Sequence, residues 1–334
     1  MPVADSVDGL TVSRETSAPE QRRNAGRSAD ESSVSRETRS WPRRTEPLPA
    51  PDTTRLITVA NQKGGVGKTT TTVNVAAALA EAGLSVLVID LDPQGNASTA
   101  LGIPHQEGVR GIYEVLIESL PLDDVVQPSA SVNGVWCAPS TVDVAGCEIE
   151  LVGLPDREFR LRSALLTHLG PSGKPEAAGT PDARRYDFVL IDCPPSLGLL
   201  TINAFSATHE VMIPIQCEYY ALEGLTQLVR TVDLIQRHLN PDLRVSAIVM
   251  TMLDARTRLS AQVAAEVREH FGPLVLSTSI PRSVRISEAP SHGETVLTYD
   301  PSSVGALAYR DVAVELTTNH SARDPAARQA QEHG

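Results

Sequence analysis

Asn61-Gln62-Lys63-Gly64-Gly65-Val66-Gly67-Lys68-Thr69-Thr70 decides the fold of this chain. An apolar run, Leu56 to Ala60, precedes it, and Thr71 to Ala82 follows with apolar residues at helical spacing. Strand, glycine-rich turn and helix form the layout of a phosphate-binding loop. Glycines let successive backbone N–H groups converge on phosphate oxygens, and the helix N-terminus adds its partial positive charge. In such a loop Lys68 reaches the β- and γ-phosphates and the Thr69 hydroxyl ligates Mg2+.

The match departs from the ordinary G-x-x-x-x-G-K-[ST] pattern, which requires glycine where this chain has Gln62; a second lysine, Lys63, opens the loop instead. The chain has three lysines, Lys63, Lys68 and Lys174, against twenty-six arginines. Two lysines five residues apart in so arginine-biased a chain are not generic surface charges. A tight phosphate cradle admits a compact ammonium and rejects a wide planar guanidinium.

The 334 residues suffice for one large domain or two small ones, and 41% are hydrophobic but only 4% aromatic. A core of Val, Leu, Ile and Ala suits a parallel α/β sheet. The net charge of −12 argues against a surface that coats nucleic acid everywhere, while leaving room for a local basic patch. Cys137, Cys147, Cys193 and Cys217 show no C-x-x-C spacing and read as reduced core thiols. With no apolar run of membrane-spanning length and no secretory signal, the expectation is a cytoplasmic protein with no membrane partner.

Three segments follow from composition: a disordered tail over residues 1–53, a folded P-loop domain over 54–317 and a second disordered tail over 318–334. Within the domain, Ser85 to Asp90 reads as a buried strand ending in Asp90-Leu91-Asp92-Pro93. Two carboxylates at a strand's carboxyl end, close to a P-loop, stand where open α/β sheets bind ligands. Either could orient an attacking water or hold metal-bound waters. Tyr186 to Asp192 is a second such strand, and its terminal acid fits a Walker B carboxylate. The Pro194-Pro195-Ser196 stretch after it fits a switch that senses the γ-phosphate. Further strands are expected at Val135 to Ala138, Glu210 to Gln216, Val245 to Leu253 and Leu274 to Ile280, with helices at Ala221 to Leu239, Leu259 to Phe271 and Ser302 to Leu316. The fold class is α/β, a mostly parallel, doubly wound P-loop NTPase sheet flanked by helices.

With Lys63, the double-Asp turn and Asp192 assembled, the chain resembles the ParA/Soj chromosome-partitioning ATPases of the deviant Walker A class. The resemblance runs from about Leu56 to Thr317 and rests on A-N-Q-K-G-G-V-G-K-T-T-T, V-I-D-L-D-P-Q-G-N, Y-D-F-V-L-I-D-C-P-P-S, T-M-L-D-A-R-T and I-P-R-S-V-R-I-S-E-A-P-S-H-G. It implies ATP and Mg2+ as cofactors and an ATP-dependent sandwich homodimer. By the same resemblance Lys63 reaches the partner's nucleotide, Lys68 and Asp92 support hydrolysis, and Gly64, Gly65, Val66, Gly67, Lys68, Thr69 and Thr70 cradle the phosphates. Thr69 and Asp192 serve the metal, and Pro281 and Ser283 border the adenine. Relatives often carry Asn where this chain has Ser283, and a serine lacks an amide's paired donor and acceptor. Arg256 and Arg285 match arginines that grip double-stranded DNA without reading sequence, and Arg258 and Arg282 lie in the same stretches.

The implied partner is a ParB-like centromere-binding protein that stimulates hydrolysis, in a nucleoid-associated setting. A plasmid partition ATPase and, more remotely, a MinD-like positioning ATPase are the alternative readings. The latter needs a membrane-binding amphipathic helix that residues 318–334 do not supply. The pentapeptide Val-Ser-Arg-Glu-Thr occurs at both 12–16 and 34–38. Encoded as GTT TCA CGT GAA AC, it would spell a palindrome resembling the parS site that ParB binds.

Overall fold

A computed structural model describes residues 47–170, 186–254 and 256–323, all within one compact unit. The two pentapeptides and Lys174 lie outside the described residues. Eight strands, β1 (Arg55–Val59), β2 (Val86–Asp90), β3 (Gln127–Pro128), β4 (Val135–Ala138), β5 (Phe188–Asp192), β6 (Glu210–Gln216), β7 (Arg244–Leu253) and β8 (Val275–Pro281), form one sheet in the order β3-β4-β2-β5-β1-β6-β7-β8. Every pairing is parallel except β3 with β4.

The central strands are apolar throughout because both faces are covered: all five residues of β2 and of β5 are buried. One face packs the helices Lys68–Glu81 and Val304–Arg323 over Ile57, Val59, Val86 and Val88. The other packs the helices Leu199–Ala207, Ala221–His238 and Arg258–Phe271 over Leu87, Ile89, Val189 and Ile191. From β1 the chain crosses to β2 on one side, whereas from β5 it crosses back over β1 to β6. The order therefore reverses beside β1, and the crevice at its carboxyl end is where such sheets bind ligands. The last helix runs through Arg323, past the 317 boundary read from composition.

Candidate nucleotide-binding site

The loop is pinned before it turns. Beyond β1, Ala60 N–H donates to Met212 O at 3.2 Å, and the Asn61 amide donates to Pro214 O at 2.7 Å. Asn61 Oδ1 in turn accepts the Lys63 N–H at 3.0 Å, so one buried side chain ties the start of the loop to β6. Gly65 and Gly67 stand at φ 74° and 85°, in the left-handed region that glycine enters without strain. Thr251 Oγ1 closes the turn from β7 by donating to Val66 O at 2.7 Å. Met252, beside Thr251, itself adopts φ 51°, a local strain next to the loop.

The helix starts at Lys68, so Lys68, Thr69 and Thr70 form its first turn, and its leading N–H groups face the crevice without intrahelical partners. Lys68 is buried and its Nζ reaches Lys63 O at 3.4 Å. Burial lowers its pKa, and Asp192 and Asp92 only partly counter that. Lys63 has the opposite setting: half-exposed, with its Nζ 2.5 Å from Glu218 Oε2 on the turn after β6.

Register brings the acids together, since Asp192 at the end of β5 pairs with Asp90 on β2 and with Val59 on β1. The three acids then divide their work. Asp90 is structural: Oδ1 accepts the Asp92 N–H at 3.2 Å, and Oδ2 accepts the Ser98 N–H and hydroxyl at 2.9 and 2.7 Å. Asp92 spends one oxygen on the Gln94 N–H at 3.0 Å, and its other oxygen takes no bond among the described residues. Asp192 Oδ1 lies 3.0 Å from Thr72 Oγ1, while Oδ2 is buried with no hydrogen-bond partner. Burial pushes the Asp192 pKa up, Asp90 pushes it further, and the Thr69 and Thr72 hydroxyls pull weakly back.

An orphaned carboxylate oxygen beside a threonine of the loop is the donor set Mg2+ takes when it is held by one or two protein oxygens plus phosphates and waters. No cluster of three His, Cys, Asp or Glu occurs among the described residues, so no all-protein cage competes with that arrangement. Cys193, next to Asp192, is buried, as are the other three cysteines, in keeping with core thiols.

Beyond Asp192, the Pro194-Pro195-Ser196 stretch leads into the helix Leu199–Ala207, whose first N–H groups are capped by Glu148: Leu199 N donates to Oε2 at 2.8 Å and Leu200 N to Oε1 at 3.4 Å. The Glu148 carboxylate occupies the space a Cβ on Gly198 would need, so a larger residue there would displace this cap.

Lys63, Gly64 through Thr70, Asp92 and Asp192 thus converge at the carboxyl ends of β1, β2 and β5. The other sequence-derived residues stand two to three strands away, at the ends of β7 and β8. Pro281 closes β8 opposite Leu253, and Ser283 immediately precedes the short helix Val284–Glu288. The P-loop helix supports that side as well, because Asn74 Oδ1 accepts the Val296 N–H at 2.8 Å. Arg256 is highly exposed and held by both oxygens of Asp254 at 2.9 Å. Arg285 is held by Glu288 at 3.3 Å and Asp300 at 3.5 Å. Asn61 and Thr251 lie in quoted motifs, but their side-chain roles are visible only in the structure; Thr72, Ser98, Glu148 and Glu218 lie outside every motif, and of these only Thr72, one helical turn after Lys68, carries a local signal.

A glycine-rich loop at the switch point of a doubly wound parallel sheet, with an unsatisfied acid at the adjacent strand end, defines a P-loop NTPase. The AAA domain family model matches residues 54–245. The chain is 49% identical over 265 residues to the sporulation initiation inhibitor protein Soj of Bacillus subtilis, covering 79% of this chain and 99% of that protein. It is 45% identical over 276 residues to the chromosome partitioning protein ParA of Myxococcus xanthus, covering 83% and 92%. Among solved structures it is similar to the cobyrinic acid a,c-diamide synthase of Mycobacterium smegmatis with bound ADP and magnesium (TM-score 0.65, 35% identity, 81% of this chain and 97% of that one). It shares its fold with the septum site-determining protein MinD of Pyrococcus horikoshii complexed with Mg-ADP (TM-score 0.63, 24% identity, 81% and 99%). The chain belongs to the ParA/Soj family of chromosome-partitioning ATPases. Among the described residues no helix is long and apolar enough to cross a membrane.

Proposed function

We propose that this chain is an ATP-driven dimer switch that holds nonspecific double-stranded DNA and is released by ParB-stimulated hydrolysis in chromosome segregation. The observation that carries this reading is the contrast between the two loop lysines. Lys68 is buried against the acids of its own site, whereas Lys63 points outward on the same loop and is retained only by an exposed ion pair. A lysine so placed is free to reach a nucleotide on another protomer and to offset charge developing on the β–γ bridge, as an arginine finger does.

Gly64 supports the same reading. Its φ is not left-handed, and a Cβ there would meet only Pro195 Cβ at 4.0 Å. Nothing within the protomer demands a glycine, so the demand falls on what approaches from outside. Gly65, Val66, Gly67 and Thr70 supply backbone N–H groups to phosphates. Thr69 and Asp192 would hold Mg2+, which neutralises phosphate charge when bound. Asp92, with a free oxygen at the crevice, would position the attacking water. Pro281 and Ser283 would border the base.

Arg256 and Arg285 occupy successive loops at one sheet edge, linked by the Arg282 N–H to Leu253 O bond at 3.2 Å. Pairing two copies doubles that patch and makes affinity depend on dimerisation. The names of the relatives at 45–49% identity favour the chromosomal reading over a plasmid one.

The test is DNA retention with and without ATP and Mg2+ in wild type, Lys68→Ala and Arg285→Glu. Wild type should bind DNA only with ATP. Lys68→Ala should not bind, and Arg285→Glu should dimerise without binding DNA. Each lost phosphate contact should lower the salt-dependence slope by about one. A Lys68→Ala variant that binds DNA with ATP as wild type does would overturn the switch.

A further inference from the structure

We propose that Ser98 is a positioning residue for hydrolysis, holding Asp92 at the crevice through the buried Asp90 carboxylate; this rests on the reading of Asp92 above. The Asp92 side chain makes one hydrogen bond among the described residues, to the Gln94 N–H at 3.0 Å. Where its free oxygen lies is therefore set by the backbone of residues 91–96. That turn is fastened at its start, where Leu91 N–H donates to Asp192 O, and again where Gly95 N–H donates to Asp92 O, both at 2.9 Å. Its remaining support comes from Asp90.

Asp90 clamps both ends of the turn with one rigid group. Its Oδ1 holds the Asp92 N–H, while its Oδ2 takes both the N–H and the hydroxyl of Ser98. A carboxylate is planar, so Oδ2 cannot swing away from Ser98 without turning Oδ1 and the Asp92 backbone with it. The helix that bears Ser98, Asn96–Ala100, is too short to hold itself, and its N-cap, Gly95, has no side chain to cap it. Asp90 supplies that acceptor from the neighbouring strand end.

The Ser98 hydroxyl is aimed for this task. A serine or threonine in a helix commonly turns back to the carbonyl four residues earlier, as Thr99 does to Gly95 O at 3.1 Å. Ser98 instead donates to Asp90, and its oxygen accepts the Ser140 N–H at 3.2 Å. With that N–H on a lone pair of the oxygen, the hydroxyl proton is left for Asp90 Oδ2. Asp90, Ser98 and Ser140 are all fully buried, out of reach of competing water. Ser140 lies just past the end of β4. The place of Asp92 is thus fixed from three strand ends at once, β2 through Asp90, β5 through Asp192 O and β4 through Ser140.

The experiment follows hydrolysis of labelled ATP with Mg2+ by the full chain, beside binding of a fluorescent ATP analogue, in Ser98→Ala, Asp92→Ala and the double variant. Ser98→Ala should lower kcat about tenfold or more, since a small misplacement of a reacting group can cost a hundredfold. Its KM and its affinity for the analogue should stay within about twofold of wild type, because holding the nucleotide does not use Asp92. On the Asp92→Ala background the same change should cost less than about twofold, as a residue that acts through Asp92 then has nothing to position. Equal losses on both backgrounds would overturn the positioning role and leave the reading of Asp92 intact. Loss of analogue binding or a raised KM with kcat unchanged would overturn it as well, and that split decides alone where Asp92→Ala has no measurable rate. An Asp92→Ala variant that hydrolyses ATP as fast as wild type would remove both readings. Should Ser98→Ala fail to fold, Ser98→Cys, close in shape and a weak hydrogen-bond donor, is measured in its place against the same outcomes.

Discussion

The two ends of the central sheet both bury carboxylates, and they treat them in opposite ways. At the amino end, Glu210 opens β6 beside Arg55, which opens β1. Arg55 Nε and Nη2 meet the two Glu210 oxygens at 2.9 and 2.7 Å, Nη1 donates to Leu316 O, and the guanidinium lies 5.2 Å from the Phe188 ring centroid. Burial alone would raise the Glu210 pKa, but Arg55 outweighs it and holds the acid below its ordinary value. At the carboxyl end, Asp90 and Asp192 are as buried and have no ion pair among the described residues, and burial raises both. One end is complete as folded. The other is built to be completed by a cation and a phosphate chain.

The largest effect should come from breaking the completed end. Arg55→Met takes from the buried Glu210 the guanidinium that meets both its oxygens, with Arg244 no nearer than 3.8 Å, and should cost about 3–5 kcal/mol in urea unfolding. Arg55→Met combined with Glu210→Leu should recover most of that loss, because two apolar side chains need no partner. A single variant that melts like wild type would mean the pair at the amino end is no more settled than the acids at the other.

A smaller and opposite effect is expected at the carboxyl end. The folded-state pKa values of about 6 for Asp90 and about 8 for Asp192 lie above the ordinary carboxylate value, so the nucleotide-free folded state binds more protons than the unfolded chain between pH 4 and 8. At these two acids stability should be lost as pH rises through that window, an effect that outweighs the opposite contribution of His209, whose pKa partial burial lowers. Asp192→Asn should flatten the fall and stabilise the nucleotide-free protein at pH 8 by roughly 1–2 kcal/mol. The same variant should lose the added stability that ATP and Mg2+ give wild type, which is about 2.7 kcal/mol at a hundredfold excess over Kd. Melting curves across pH, with and without nucleotide, check both halves. A wild type whose nucleotide-free stability rose over this range would break the contrast between the ends.

The strands were legible from the sequence to within a residue or so, because a parallel sheet covered on both faces demands unbroken apolar runs such as Val86 to Ile89 and Phe188 to Ile191. The loop was legible for a related reason: its chemistry is local, and Gly65, Gly67, Lys68 and Thr69 are set by φ angles and phosphate geometry within a few residues. What escaped was long-range or short. Thr251 reaches Val66 across 185 positions, and Lys63 reaches Glu218 across 155, and no spacing rule encodes such pairs. β3, with two residues, is too short to show a period, and the helix Leu199–Ala207, buried on nearly all sides, has no polar face to reveal its turn. The roles of Asp90 and Asp92 could not be separated in sequence because both sit at the same strand end. The hydrogen bonds that saturate one and spare the other are made by Ser98 and Gln94.

The smallest expected effect on stability is at Lys63, and it sharpens the contrast most. Lys63→Gln removes only a pair whose members are half exposed, so unfolding of the nucleotide-free protomer should change by less than about 0.5 kcal/mol. Arg55 and Lys63 each hold a glutamate that belongs to β6 or the turn after it, yet one substitution should be severe and the other nearly silent. That difference follows from solvent, since an exposed carboxylate that loses its lysine regains water and a buried one that loses its arginine does not. If the proposed dimer forms, a lysine that does so little for the fold has its use in what it touches outside the protomer. Lys63→Gln should therefore match wild type in urea and still lose ATP-dependent sedimentation as a dimer. A Lys63→Gln protein that is destabilised by 2 kcal/mol or more would place the residue with Arg55, among the parts that hold the fold together.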